Sequence, residues 1–325
     1  MAAFRRTTWL VVVLTLAAGC LPARRSAREL AGTPGEPAGA APTGEVREGS
    51  LHGGFITIRV LLPPAGPRPA PAVLTLIGQE DALLALGLAV VSFETHWELL
   101  QPLVAASRPA GEAATPSPAQ RSWGKWLLAS PSPRTVGEGY FRLIKGTAQG
   151  TIPQVLDWLG HLPEVDAGHV GIVGTSTNGF TALQATGGDR RIVAAVVLAA
   201  CGDYRSFVAR SPLGLGGEMP FDPTPDYAAF LAAHEPIRHP KRLLHAAVLM
   251  VHGDADHAVP ISCARDTARV LAAAYRRAGV PERFRYVEVP GGTHDLGGEG
   301  RWQAFAWLYR WLRGPEGRTL GGRER

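Results

Sequence analysis

Short apolar runs alternate along the chain with stretches in which apolar residues recur every three or four positions, from about residue 55 to residue 312. Runs of the first kind read as strands at 55–62, 72–77, 88–93, 169–173, 192–199, 246–251 and 285–289. Most are apolar throughout, as strands covered by helices on both faces must be. Stretches of the second kind read as helices at 151–161, 180–186, 264–278 and 301–312. This alternation predicts α/β architecture: one domain with a mostly parallel central sheet and helices on both faces. No internal repeat is visible. Two connections, from Glu94 to about Tyr140 and from Gly202 to about Leu244, are longer than a compact fold needs. Each is expected either to cover a pocket or to be a mobile insertion. Trp97, Trp123 and Trp126 in the first can line an apolar acyl or aryl site or pack on the sheet.

The two ends follow other rules. Arg5 and Arg6 precede an apolar run at 9–18, too short to cross a bilayer, with the layout of an export signal over residues 1–19. The stretch Leu16, Ala17, Ala18, Gly19, Cys20 resembles the lipobox of bacterial lipoproteins. That resemblance implies that Cys20 takes a diacylglyceryl group, becomes the mature N-terminus and gives the protein its only membrane contact. A plain secretory signal and an uncleaved anchor are the alternatives, and all three place the domain outside the cytosol. Residues 20–48 lack any aromatic side chain and read as a flexible tether, 49–313 as the domain, and 314–325 as a disordered tail.

Composition narrows the choice of partner. The 33 Lys and Arg against 28 Asp and Glu give +5, but several arginines sit in the two ends, so no basic face for nucleic acid is implied. Three cysteines cannot form a disulfide framework, and none has the paired spacing of a zinc site. Cys201 follows one strand and Cys263 opens the helix after the next, so they are either a bridge, permitted outside the cytosol, or two buried thiols. Oligomeric state is not legible.

The chemistry gathers at strand ends. Residues 170–179 describe a strand, a tight turn with Ser176 at the bend, and a helix; Gly174 supplies the small residue such a turn needs. Asn178 stands two positions after Ser176, where the G-x-S-x-G pattern has glycine, and is expected to add strain. The strand ending at Val251 runs into His252, Gly253, Asp254, Ala255, Asp256 and His257, and the last strand into Gly291, Gly292, Thr293 and His294. Serine, acid, histidine is the chain order of a nucleophile, orienting carboxylate and general base. A neutral serine needs His294 to take its proton, and a carboxylate to hold the ring and stabilise its charged form. Asp254 and Asp256 both qualify, with Asp256 preferred and Asp254 left as a turn-stabilising side chain. His252 and His257 beside these acids lack a third partner, so no metal is expected.

These segments, with Pro163-Glu164-Val165-Asp166 and Glu235-Pro236-Ile237, resemble the dienelactone-hydrolase and prolyl-oligopeptidase-like branch of the α/β-hydrolases over about residues 51–312. The resemblance implies Ser176 as nucleophile, Asp256 as acid, His294 as base, and an oxyanion hole built from the backbone NH groups of Thr177 and Gln79. Ile77 precedes Gly78 where the family has histidine, and Ser176 replaces the cysteine of dienelactone hydrolases proper. The expected activity is cleavage of small-molecule or polymer esters through an acyl-enzyme, with no cofactor. A prolyl-oligopeptidase-like peptidase or amidase, and a catalytically silent binding module of the same fold, are the competing readings.

Overall fold

The computed structural model describes residues 44–66, 68–95, 133–211 and 224–314. Within them run strands β1 (Glu45–Leu51), β2 (Ile56–Leu62), β3 (Ala70–Thr75), β4 (Ala89–Thr95), β5 (Val165–Thr175), β6 (Ile192–Leu198), β7 (Ala247–Gly253) and β8 (Phe284–Val289). The helices are α1 (Glu80–Ala85), α2 (Pro133–Gly146), α3 (Ile152–Leu159), α4 (Thr177–Gly188), α5 (Tyr204–Arg210), α6 (Pro225–His234), α7 (Ile261–Arg277) and α8 (Gly297–Leu312).

One sheet holds all eight strands in the order β1-β2-β4-β3-β5-β6-β7-β8. The strands from β4 to β8 along this order run parallel, while β2 is antiparallel to both β1 and β4. The continuous apolar run of β6 is buried at every position because it serves two layers. Ala195 and Val197 join Phe180 and Leu183 of α4 on one face. Val196 and Leu198 join Trp307, Leu308 and Trp311 of α8 on the other, with Leu83 and Leu84 of α1. Because β5, β7 and β8 are parallel, their C-terminal ends open on the same edge of the sheet.

Sequence and structure diverge at β1. The tether was expected to reach residue 48, yet a strand begins at Glu45 and pairs with β2 from Glu45↔Leu62 to Leu51↔Ile56. Its residues are half-buried or exposed, so no apolar periodicity betrays it. The ladder hydrogen bonds carry it, helped by the ion pair of Arg47 with Glu164 at 2.7 Å and by Trp158, whose ring lies against Gly49. Charge on this outermost strand also discourages pairing with another chain.

The two long connections carry helices. Tyr140 and Phe141 of α2 and Tyr204 and Phe207 of α5 close around Phe180 of α4. Phe141 stacks on Tyr204 at 4.1 Å between centroids, and Phe180 meets Phe207 edge-on at 5.0 Å. The end of one connection and the start of the other are thus fastened to the helix that follows Ser176. Trp97, Trp123 and Trp126 lie outside the described residues, as do the export signal, Cys20, the remainder of the tether up to residue 43, and the tail from residue 315. Among the described residues no helix is long and apolar enough to cross a membrane.

Of the alternatives open for Cys201 and Cys263, the structure has the bridge, with Cα atoms 5.8 Å apart and 62 positions between them in sequence. It closes a loop containing α5, α6, β7 and the turn that bears both candidate acids. By loop entropy such a bridge contributes about 4 kcal/mol. Reduction, or Cys263→Ser, is therefore expected to lower unfolding free energy by about 2–5 kcal/mol in a denaturant titration. An unchanged midpoint under reducing conditions contradicts it.

Candidate active site

Ser176 is forced into place by its neighbours. A Cβ at residue 174 would run into the Asn178 carbonyl, so only glycine lets β5 turn this sharply into α4. Ser176 itself takes φ 55°, ψ −126°, a conformation costing a non-glycine residue about 1–3 kcal/mol. Its amide donates to the Leu198 carbonyl at 2.9 Å and its carbonyl accepts from Phe180 N at 3.0 Å, which hold the bend. Asn178 does not add strain as expected: it lies in α4 with no positive φ, and within this turn the strain falls on Ser176.

The acid turn and the histidine loop are sewn together by backbone. Asp254 N donates to Val289 O at 3.2 Å, Ala255 N to Gly292 O at 2.9 Å, and Gly291 N to the Asp254 carboxylate at 2.6 Å. Gly253 makes this approach possible, since a side chain there would run into the Gly292 carbonyl. Asp254 is exposed and spent on that staple, whereas Asp256 is buried. Asp256 Oδ1 accepts from the amides of Ala258 at 2.7 Å and Val259 at 2.9 Å. Its Oδ2 lies 2.9 Å from His294 Nδ1. Burial alone would raise the Asp256 carboxyl, but the His294 hydrogen bond and the two amides outweigh it and hold the group below its ordinary value.

His294 completes the line, with Nε2 2.9 Å from Ser176 Oγ. An ionised carboxylate only accepts, so the ring proton belongs on Nδ1 and Nε2 is left to receive the serine proton. The structure thus brings together Ser176, Asp256 and His294, three residues far apart in sequence.

Thr177 opens α4, so its amide has no partner within the helix. Its hydroxyl lies 3.0 Å from Tyr140 Oη. Gln79 precedes α1 in a left-handed conformation, φ 69°. Two side chains contribute in ways sequence reasoning missed. Asn178 Nδ2 donates to the Leu76 carbonyl at 2.7 Å, tying α4 to the loop that bears Gln79. His252, buried and pushed down in pKa chiefly by desolvation, donates from Nε2 to Val259 O at 2.9 Å and lies 3.4 Å from Asp256 Oδ2. Its adjacency to the acid in sequence was the only available signal. His257 is exposed.

A strained serine at a strand-to-helix bend, facing a histidine and a buried aspartate at one sheet edge, defines a serine hydrolase of the α/β-hydrolase fold. Residues 144–314, just over half of the chain, match the prolyl oligopeptidase family, and the chain belongs to that family. No curated protein matches it. Solved structures share the fold at low identity. The 2,6-dihydroxy-pseudo-oxynicotine hydrolase is 21% identical, with 84% of this chain and 69% of that one covered and a TM-score of 0.52. A puromycin-hydrolyzing peptidase from Mycobacterium tuberculosis is 18% identical, with 85% of this chain but only 40% of that one covered and a TM-score of 0.54. A family 15 glucuronoyl esterase from Caldicellulosiruptor kristjansonii is 18% identical, covering 83% and 79%, with a TM-score of 0.50.

Proposed function

We propose that the protein is an exported serine hydrolase that cleaves carboxylic esters through an acyl-enzyme. The observation that carries this reading is the continuous line from Asp256 through His294 to Ser176, with both hydrogen bonds at 2.9 Å. Ser176 Oγ attacks the ester carbonyl carbon as its proton passes to His294 Nε2, and the carbonyl oxygen becomes an oxyanion. Asp256 stabilises the imidazolium so formed. The backbone NH groups of Thr177 and Gln79 receive the oxyanion. Collapse breaks the bond to the alcohol, which leaves with the proton from His294. Water, deprotonated by the same nitrogen, then adds to the acyl carbon; as the bond to Ser176 Oγ breaks, His294 returns that proton to the serine oxygen and the carboxylic acid leaves. Every proton in this cycle is carried by a residue of the chain, so it needs no metal or cofactor. The alcohol can belong to a small molecule or to a polymer.

Export rests on the signal-like residues 1–19 and on Cys20 as the lipid attachment site, which would hold the enzyme at a membrane surface through residues 20–44. The Cys201–Cys263 bridge suits an oxidising compartment.

The family match favours a second reading, a peptidase or amidase, because the same residues can protonate an amine leaving group. Turnover of a short p-nitrophenyl ester beside the p-nitroanilide of the same acyl group separates them. Because an activated ester outpaces the anilide even in a peptidase, the discriminating result is the anilide: the ester is expected to turn over across a series of acyl lengths with no measurable cleavage of the anilide. Anilide cleavage at a kcat/KM comparable to that of the ester overturns the ester assignment, and absence of turnover on both favours a silent binding fold.

A further inference from the structure

At position 178 the nucleophile-turn pattern has glycine, and this chain instead has a side chain with a partner 102 positions away. Asn178 Nδ2 donates to the Leu76 carbonyl at 2.7 Å. Leu76 follows β3 directly, and its own amide donates to Val173 O of β5 at 2.9 Å. Both polar groups of the Leu76 backbone are therefore bound to the strand, bend and helix that carry Ser176. Beyond Leu76, Thr75 Oγ1 donates to Gly78 O at 2.7 Å and accepts from Ile77 N at 3.4 Å. Gly78 and Gln79 then take two successive left-handed conformations, φ 74° and 69°. Residues 75–79 thus form a compact turn, fastened to β5 through the Leu76 amide and to α4 through the Asn178 side chain.

An oxyanion hole works only if its donors reach one point, each about 2.7–3.1 Å from the developing charge. Here the two donors come from separate segments, Thr177 from α4 and Gln79 from the turn after β3. Asn178 is the immediate neighbour of the first donor and binds the turn that carries the second. We propose that Asn178 is a positioning residue that holds the Gln79 amide in register with the Thr177 amide through its bond to Leu76. This rests on the ester-cleaving reading above. A glycine at 178 has no group to make the tie, so in this chain the departure from the pattern is the device that sets the spacing of the hole.

The test compares Asn178→Asp and Asn178→Gly with wild type on a short p-nitrophenyl ester and against the trifluoromethyl ketone of the same acyl group. Aspartate keeps the size but, ionised, has no proton to donate and faces the Leu76 carbonyl with like charge; glycine guards against misfolding of the first variant. Both variants are expected to lose about 10- to 100-fold in kcat with little change in KM. The ketone, which mimics the tetrahedral intermediate, is expected to bind more weakly by the same factor. The pH at which kcat/KM rises to half its maximum should stay where wild type has it, because the contacts among Ser176, His294 and Asp256 are untouched. Wild-type kcat and ketone affinity in both variants overturn the proposal, as does a loss of kcat with ketone affinity intact. An inactive wild type sinks the ester-cleaving reading and this proposal together, whereas an active wild type with unaffected variants sinks this one alone.

Discussion

Ser176→Ala is expected to lower kcat on a short activated ester by about a millionfold, and His294→Ala by a similar factor. The two losses should not add, because the residues act as one unit: without the ring the hydroxyl keeps its proton, and without the hydroxyl the ring has nothing to deprotonate. The double variant should therefore be no slower than either single one. A Ser176→Ala protein that still turns over the ester at a tenth of the wild-type rate, measured with freshly purified enzyme, contradicts the mechanism.

Asp256→Asn is the second large effect, with kcat reduced about 10³- to 10⁴-fold. The amide can present hydrogens toward His294 Nδ1, which favours the tautomer with its proton on Nε2, the nitrogen that must accept from Ser176. The carboxylate that would balance the imidazolium is also lost. Asp254→Asn should retain most activity, since the asparagine oxygen can still accept from Gly291 N, the bond the carboxylate makes at 2.6 Å. Equal losses in the two variants, or a larger loss in Asp254→Asn, overturn the choice of acid. Both are read from kcat at saturating ester, with circular dichroism to establish that each variant is folded.

The inner strands were legible because burial on both faces leaves an apolar run that nothing else explains, as in β6 and β7. Ser176 was legible as a polar residue set among small residues just past such a run, and His294 as one on a glycine-rich loop past the half-buried edge strand β8. From sequence Asp256 was preferred to Asp254 but without a physical ground, since two acids on one turn differ physically only once one of them is buried. What separates them is the direction of the turn, fixed by Ala255 N on Gly292 O and by the amides of Ala258 and Val259 on Asp256. The strand β1 escaped because its stability lies in ladder hydrogen bonds and the Arg47–Glu164 pair, neither of which leaves an apolar period. α2 and α5 escaped because their aromatic residues find partners only in the folded cluster around Phe180. The tie from Asn178 to Leu76 could not be read from the chain, since it joins the first turn of α4 to the residue just past β3, which only the sheet order β3-β5 makes neighbours.

If His294 activates the Ser176 hydroxyl, a fluorophosphonate will capture that oxygen, and mass spectrometry of the digested protein will locate the adduct. One adduct is expected, on the peptide containing Ser176, formed in wild type, abolished in Ser176→Ala and strongly slowed in His294→Ala. Folded wild-type protein that takes no label, or a label that persists in Ser176→Ala, means that Ser176 is not the activated nucleophile.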